Sequence, residues 1–288
     1  MIMSRRYAVV DVFTAKPLLG NPLAVVIDAE GLDGGAMQRF AAWTNLSETT
    51  FLLPPTRADA DYRVRIFTPR SELPFAGHPS VGSAFVALDS GLIAADKTAL
   101  VQECAAGLLP VRVEGQGSSR RIHVRAPAAR FADHDATLAP ALRNALDAEV
   151  RAARNVCNGP WWIIADLGEE AGVRGLDPDM HAIAALTTQL GAVGVCVFGQ
   201  SHDPGFAMAV RAFCPADGIP EDPVTGSANA AIAAYLHATG LATSGARYRV
   251  SQGREVGRDG IVEVSVDADG EVWIGGECAT VLSGSVTM

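Results

Sequence analysis

Along the chain, short runs of β-branched and aromatic residues alternate with small apolar residues at helical spacing. Tyr7 to Phe13 reads as a strand, and Lys16-Pro17-Leu18-Leu19-Gly20-Asn21-Pro22 turns it into a second, Leu23 to Ile27. Ala36–Trp43 has helical spacing, with Met37, Phe40 and Ala41 on one face. Short strands are expected around Thr50–Leu53 and Tyr62–Phe67. From Pro79 to Leu88 the pattern predicts a buried helix, with proline in its first turn and apolar residues to its end. Leu100 to Val124 returns to short strands broken by Gly107, Gly115 and Gly117. The Ala- and Pro-rich segment Ala126–Arg154 reads as a crossover between domains. Beyond it come strands at Trp161–Ala165, Val193–Phe198 and Phe206–Phe213, a helix near Met180–Leu190, a small-residue helix from Gly226 to His237, and closing strands at 247–251, 261–266 and 271–274. No element is long, and runs of strands with one principal helix per half predict an α+β fold.

The pattern also repeats. Arg65-Ile66-Phe67-Thr68-Pro69 returns as Arg211-Ala212-Phe213-Cys214-Pro215, 146 positions on, and Gly82-Ser83-Ala84 as Gly226-Ser227-Ala228, 144 positions on. In both halves an R-x-F-x-P strand leads to a glycine-rich helix start. The shared order predicts a duplicated domain, with a pseudo-two-fold and a cleft between the halves, and such clefts are favoured ligand sites.

Composition narrows the function. A chain of 288 residues, 49% hydrophobic and 19% charged, can bury a sizeable core, and at roughly 150 residues per domain it suggests two domains. Lys+Arg number 23 against 32 Asp+Glu, a net charge of −9, which argues against nucleic acid or an anionic membrane as partner. No apolar run approaches the roughly 18–20 residues that span a bilayer, and Asp11 interrupts the apolar stretch after Arg5-Arg6. The five cysteines contain no CxxC and the histidines no metal spacing, so the expectation is a cytoplasmic protein with reduced thiols and no metal. Nucleotide-binding and serine-hydrolase motifs are missing.

Three places carry candidate chemistry. Gly77-His78-Pro79-Ser80 and Asp222-Pro223-Val224-Thr225-Gly226-Ser227 each precede an apolar helix, where free N–H groups and the helix dipole suit an anion. The alternative is that Ser80, Thr225 and Ser227 are plain caps. His78 and Asp222 are taken as corresponding positions, one a donor or general acid, the other a carboxylate that a cap would equally explain, with Glu221 beside it read as solvated. In Asn45-Leu46-Ser47-Glu48-Thr49-Thr50-Phe51, Glu48 lies between hydroxyl residues and an apolar stretch, either a desolvated base or a surface turn residue. Cys214 reads as a buried apolar cysteine, with a nucleophile as the alternative. Gln252-Gly253-Arg254 either fixes an anion or ends a strand.

These residues resemble the PhzF-like isomerases of phenazine biosynthesis, which share the architecture of diaminopimelate epimerase. The resemblance runs through Asp11-Val12-Phe13-Thr14, Gly20-Asn21-Pro22, the Asn45–Phe51 block, Arg65–Pro69, Glu72–Pro79, Glu221–Ala228, Gln252-Gly253 and the Gly276…Gly284 stretch, in family order. It departs at Trp43-Thr44, expected to alter the pocket wall, and at Cys214. The resemblance implies two similar domains, 1–126 and 127–288, each a curved mixed sheet or barrel around a central helix, with room for the C-terminal strand to cross back. It implies a homodimer and a proton shift, without cofactor, in a small carboxylate-bearing metabolite. Glu48 would take the proton and return it, His78 and Asp222 would assist, and Asn21, Ser47, Gly77, Gly226 and Ser227 would bind polar groups of the substrate. The epimerases' cysteine pair would be replaced by Gly77 and Asp222.

Overall fold

The computed structural model describes residues 3–288 and divides into two compact units. One runs through Arg125 and takes back Gly275–Met288; the other is Ala126–Ile274. The first contains β1 (Ser4–Val12), β2 (Asn21–Val26), α1 (Gly34–Thr44), β3 (Glu48–Leu53), β4 (Tyr62–Phe67), β5 (Glu72–Leu73), α2 (Gly77–Asp89), β6 (Ala99–Cys104), β7 (Gly107–Glu114) and β8 (Arg121–Arg125). The second contains β9 (Arg130–Phe131), α3 (Leu138–Leu146), β10 (Ala152–Cys157), β11 (Trp161–Glu169), α4 (Glu170–Arg174), α5 (Met180–Leu190), β12 (Gly194–Gln200), β13 (Met208–Cys214), β14 (Ile219–Asp222), α6 (Gly226–Ala238), β15 (Arg247–Gln252) and β16 (Gly260–Val266). The last strand, β17 (Val272–Thr287), returns to pair with β1.

In the first unit β17, β1, β2, β3, β4, β6, β7 and β8 pair in that order and β8 meets β17 again, closing an eight-stranded circuit. The pairs β2–β3 and β4–β6 are parallel, and β5 adds to β4 as a hairpin. Helix α2 fills the circuit: every residue from Gly77 to Leu88 is buried, which is why its sequence has no polar face. The fit requires glycine at 82, where a Cβ would stand 2.6 Å from Leu23 Cδ2 and 2.8 Å from Val12 Cγ2. Helix α1 buries Met37 and Ala41 in a separate cluster with Val26, Phe51 and Phe67.

The second unit repeats the order β10–β11–β12–β13–β15–β16 around α6, again with parallel pairs at the second and fourth positions. The architecture is therefore the α+β one implied above, a mixed sheet around a central helix in each half. Strand register refines the internal match. Thr49 pairs with Phe67 as Val195 pairs with Phe213, and Leu23 with Glu48 as Trp162 with Gly194. After the R-x-F-x-P strand the second unit has three extra residues, in the turn Pro215–Asp217 and Gly218. Glu72 therefore corresponds to Glu221, Leu73 to Asp222, Gly77 to Gly226 and His78 to Ser227, all 149 apart.

Three readings are corrected here. The match of Gly82-Ser83-Ala84 to Gly226-Ser227-Ala228 fails, since Gly226 opens its helix and Gly82 is the sixth residue of α2. Small-residue triplets recur in any helix of this composition, whereas strand pairing counts residues unambiguously. The chain does pass between units at Arg125–Ala126, where the segment read as a crossover begins, but the rest of Ala126–Arg154 is built into the second unit: α3 buries Leu138, Leu142, Ala145 and Leu146, its Pro140 being tolerated in the first turn. One element is long after all, the 16-residue β17, whose Gly and Ser residues hid its alternation. Among the described residues no helix is long and apolar enough to cross a membrane.

Candidate active site

Glu48 opens β3, just after α1 ends on Asn45 in the left-handed conformation. Its parallel register with Leu23 puts both side chains on the face toward α2, because Leu23 is what crowds Gly82. Asn21, two residues before Leu23 and buried, shares that face. So does Thr50, whose hydroxyl accepts from Ser83 of α2 at 2.9 Å. His78, one helical turn before Gly82, is thereby brought to Glu48, with Nδ1 3.6 Å from Oε2. That distance exceeds a hydrogen bond. Glu48 Oε2 is sealed from solvent and has no hydrogen-bond partner among the described residues. Burial of the charge pushes the carboxyl up to about 7, and the nearby Ser47 hydroxyl, short of hydrogen-bond geometry, offsets only part of this.

Gly77 and His78 form the first turn of α2, whose cap residue Ala76 has no side chain to satisfy the helix N–H groups. The buried chain beneath it runs from Tyr62 OH to Gln102 Oε1 (2.9 Å), from Gln102 Nε2 to Ser80 Oγ (2.9 Å), and from Ser80 Oγ to the Ala76 carbonyl (2.9 Å). Ser80 thus anchors the helix start and does not cap it.

In the second unit Asp222 ends β14, four residues before α6 begins. Thr225 is the cap residue, yet its hydroxyl makes no cap bond and donates instead to Asp222 Oδ2 at 2.5 Å. The Gln252 amide is consumed internally: Oε1 accepts from Thr225 N (3.0 Å) and Asn229 Nδ2 (3.0 Å), while Nε2 donates to Thr225 Oγ1 (2.9 Å) and the Asp222 carbonyl (3.1 Å). Its side chain is therefore not an anion ligand. Gly253 follows at φ +99, with a Cβ there 2.4 Å from the Pro223 carbonyl, so the turn closes tightly under the Asp222 loop. Ser227 Oγ accepts from Trp162 Nε1 at 3.0 Å, and its carbonyl from Asn158 Nδ2 at 2.8 Å.

Several expectations change. His78 and Asp222 are not equivalent, since His78 matches Ser227 by register and Asp222 matches Leu73. Nor is Asp222 at a helix start; the counterpart of Gly77 there is Gly226. Glu221 is not solvated: it forms a bidentate pair with Arg211 (3.0 and 2.8 Å), both side chains under a tenth exposed, and Arg211 stacks on Phe213 at 4.9 Å. The first R-x-F-x-P strand does the same with Arg65, Glu72 and Phe67. The motif thus ties each hairpin to its sheet, a role set by strand pairing and not by the Arg-to-Glu spacing, which differs between the halves. Trp43 does not line the Glu48 face: it is 79% exposed and stacks on Phe40, and Thr44 bonds Thr49 on the opposite face of β3. Cys214 is buried at the end of β13.

A family model described as "Phenazine biosynthesis-like protein" (PhzC-PhzF) matches residues 10–284. The chain is 35% identical over 269 residues to trans-2,3-dihydro-3-hydroxyanthranilate isomerase of Pseudomonas aeruginosa, covering 92% of each. It is also 35% identical over 286 residues to "Antisense-enhancing sequence 1" of Schizosaccharomyces pombe, covering 96% of each. The crystal structure of a Bacillus anthracis phenazine biosynthesis protein of the PhzF family superposes with a TM-score of 0.85 at 26% identity, covering 99% of this chain and 100% of that one.

Proposed function

This chain belongs to the phenazine biosynthesis-like family and is an isomerase, and we propose that it moves a proton within a small carboxylate-bearing metabolite with Glu48 as the acid and base. The observation that carries this reading is the carboxyl of Glu48, held near neutrality by burial 3.6 Å from His78. A group poised near 7 is populated in both forms at neutral pH, so it can take a proton from one carbon and return it to another. Removing the proton leaves a charged carbanion or enolate that the substrate's own unsaturated or carboxylate group delocalises, and returning it to the second carbon discharges that charge and regenerates the Glu48 carboxylate; donors positioned beforehand lower the barrier most. In this reading the first turns of α2 and α6, neither capped by a side chain, supply such donors for carboxylate oxygens. Asn21, Ser47, Gly77, Gly226 and Ser227 bind polar groups of the substrate, and His78 and Asp222 hold it in register. The proposed step draws only on this chain's own side chains and backbone N–H groups.

The test uses trans-2,3-dihydro-3-hydroxyanthranilate, the compound named for the Pseudomonas relative, in deuterium oxide. The wild type should convert it with solvent deuterium entering at carbon, and Glu48→Gln should lose both conversion and exchange by about 10³-fold or more while still binding. Retained exchange in Glu48→Gln would remove Glu48 from its role. The alternative is a non-catalytic small-molecule-binding or protein-interaction member of the same fold. Saturable binding of the same compound by the wild type with no exchange at all would favour it.

A further inference from the structure

The two units share one brace beneath their core helices, and the second adds two residues to it. In the first unit the fourth helical residue, Ser80, bonds the Ala76 carbonyl four residues back and the buried Gln102. In the second, Asn229, also fourth, donates to the Thr225 carbonyl (2.9 Å) and to the buried Gln252 (3.0 Å). Strand register matches Gln102 to Val250 and not to Gln252, so the two glutamines brace the same helix start from different positions. At the cap position, however, Ala76 is replaced by Thr225, and at the last residue of the preceding strand Leu73 is replaced by Asp222. The first unit builds the same helix start without either group.

Groups that act in only one sense fix every hydrogen here. The Thr225 backbone N–H can only donate, so the Gln252 atom 3.0 Å away is Oε1; the Asp222 carbonyl can only accept, so the atom 3.1 Å away is Nε2. Nε2 therefore donates to Thr225 Oγ1, and the hydroxyl hydrogen goes to Asp222 Oδ2. A threonine at this position ordinarily turns its oxygen to the N–H groups of its own helix. Here the hydroxyl is turned the other way, onto a carboxylate.

We propose that Thr225 is a positioning residue for Asp222, with Gln252 setting the sense of its hydroxyl so that the carboxylate is held as a hydrogen-bond acceptor beside the start of α6. The geometry belongs to the second unit alone; only the effect on turnover rests on the isomerase reading. Two measurements keep these apart. In crystals of Thr225→Val the Asp222 carboxylate should leave its present rotamer, and in Thr225→Ser it should keep it; an unmoved carboxylate in Thr225→Val overturns the proposal whether or not the protein turns over any compound. In the isomerisation assay Thr225→Val should lower kcat/KM by about 10- to 100-fold, as loss of a group that orients a ligand-contacting residue does, and Thr225→Ser should recover to within about 3-fold of wild type. On an Asp222→Ala background the same Thr225→Val change should cost less than about 2-fold more, because its partner is already gone. An equal loss on both backgrounds would mean that Thr225 does not act through Asp222, and would overturn the proposal.

Discussion

The two units solve the same folding problem with the same parts and then diverge at a few positions, among them those proposed above to carry the chemistry. Both fasten a hairpin with an arginine stacked on phenylalanine and paired with glutamate, and both seat the core helix on a buried glutamine. Where the first unit has Glu48, the second has Gly194, and a Cβ there would stand 2.7 Å from the Trp162 ring. Where the first has His78, the second has Ser227, taken up by that same indole. Conversely Asp222 and Thr225 occur only in the second. The repeated Arg–Glu pairs hold the fold, and the proposed acid–base and positioning residues are among the unrepeated ones. The two carboxylates also sit in opposite surroundings: Glu48 is desolvated without a hydrogen-bond partner for Oε2, and Asp222 is met by a hydroxyl.

The comparison can be broken at the shared parts first. Glu221→Ala should lower stability by about 3–5 kcal/mol in urea denaturation, because it strands Arg211 in the core. A loss no larger than that for the equivalent Glu72→Ala would deny the difference in burial. A change of similar size and opposite sign is expected at Glu48. Its folded-state value near 7 lies above the ordinary 4.5, so the folded chain binds the proton more tightly than the unfolded chain. The wild type should accordingly lose stability as pH rises from 4.5 to 7 and then level off. Glu48→Gln should be more stable than wild type by up to about 3 kcal/mol at pH 8 and little changed at pH 4. Equal stability at both pH values would show that burial does not tax this carboxylate. Gly82→Ala should cost about 1–3 kcal/mol, since the new methyl meets Leu23 and Val12. Smallest of all, Glu72→Ala should cost about 0–1 kcal/mol, its pair with Arg65 being partly exposed.

Much of this was legible in the sequence, for identifiable reasons. Strand alternation and the two small-residue helices were readable because α2 is buried on all sides and the strands are buried on one or both. Glu48 stood out by its place between hydroxyl residues and an apolar run. The sequence leaves desolvation of Glu48 and a surface turn both open; what decides for desolvation is the helix packed over it, some thirty residues away in sequence. The motif alone does not give the internal offset at the helix starts, because three inserted residues in the turn at Pro215–Asp217 and Gly218 shift the register without disturbing the motif. Thr225 looked like a cap by spacing alone; only the side chain of Gln252, from the strand beyond the helix, shows where its hydroxyl points. Glu221 looked solvated beside Asp222, and its partner Arg211 is set opposite by strand pairing, which no local pattern encodes.

The account turns on Glu48 being a proton-transfer group that its surroundings hold near neutrality. Titrating its side-chain carboxyl carbon by carbon-13 NMR, with Glu48→Gln to assign the signal, measures this directly. The account predicts a midpoint near 7. A midpoint at the ordinary 4.5 would contradict it and leave the first unit without its base.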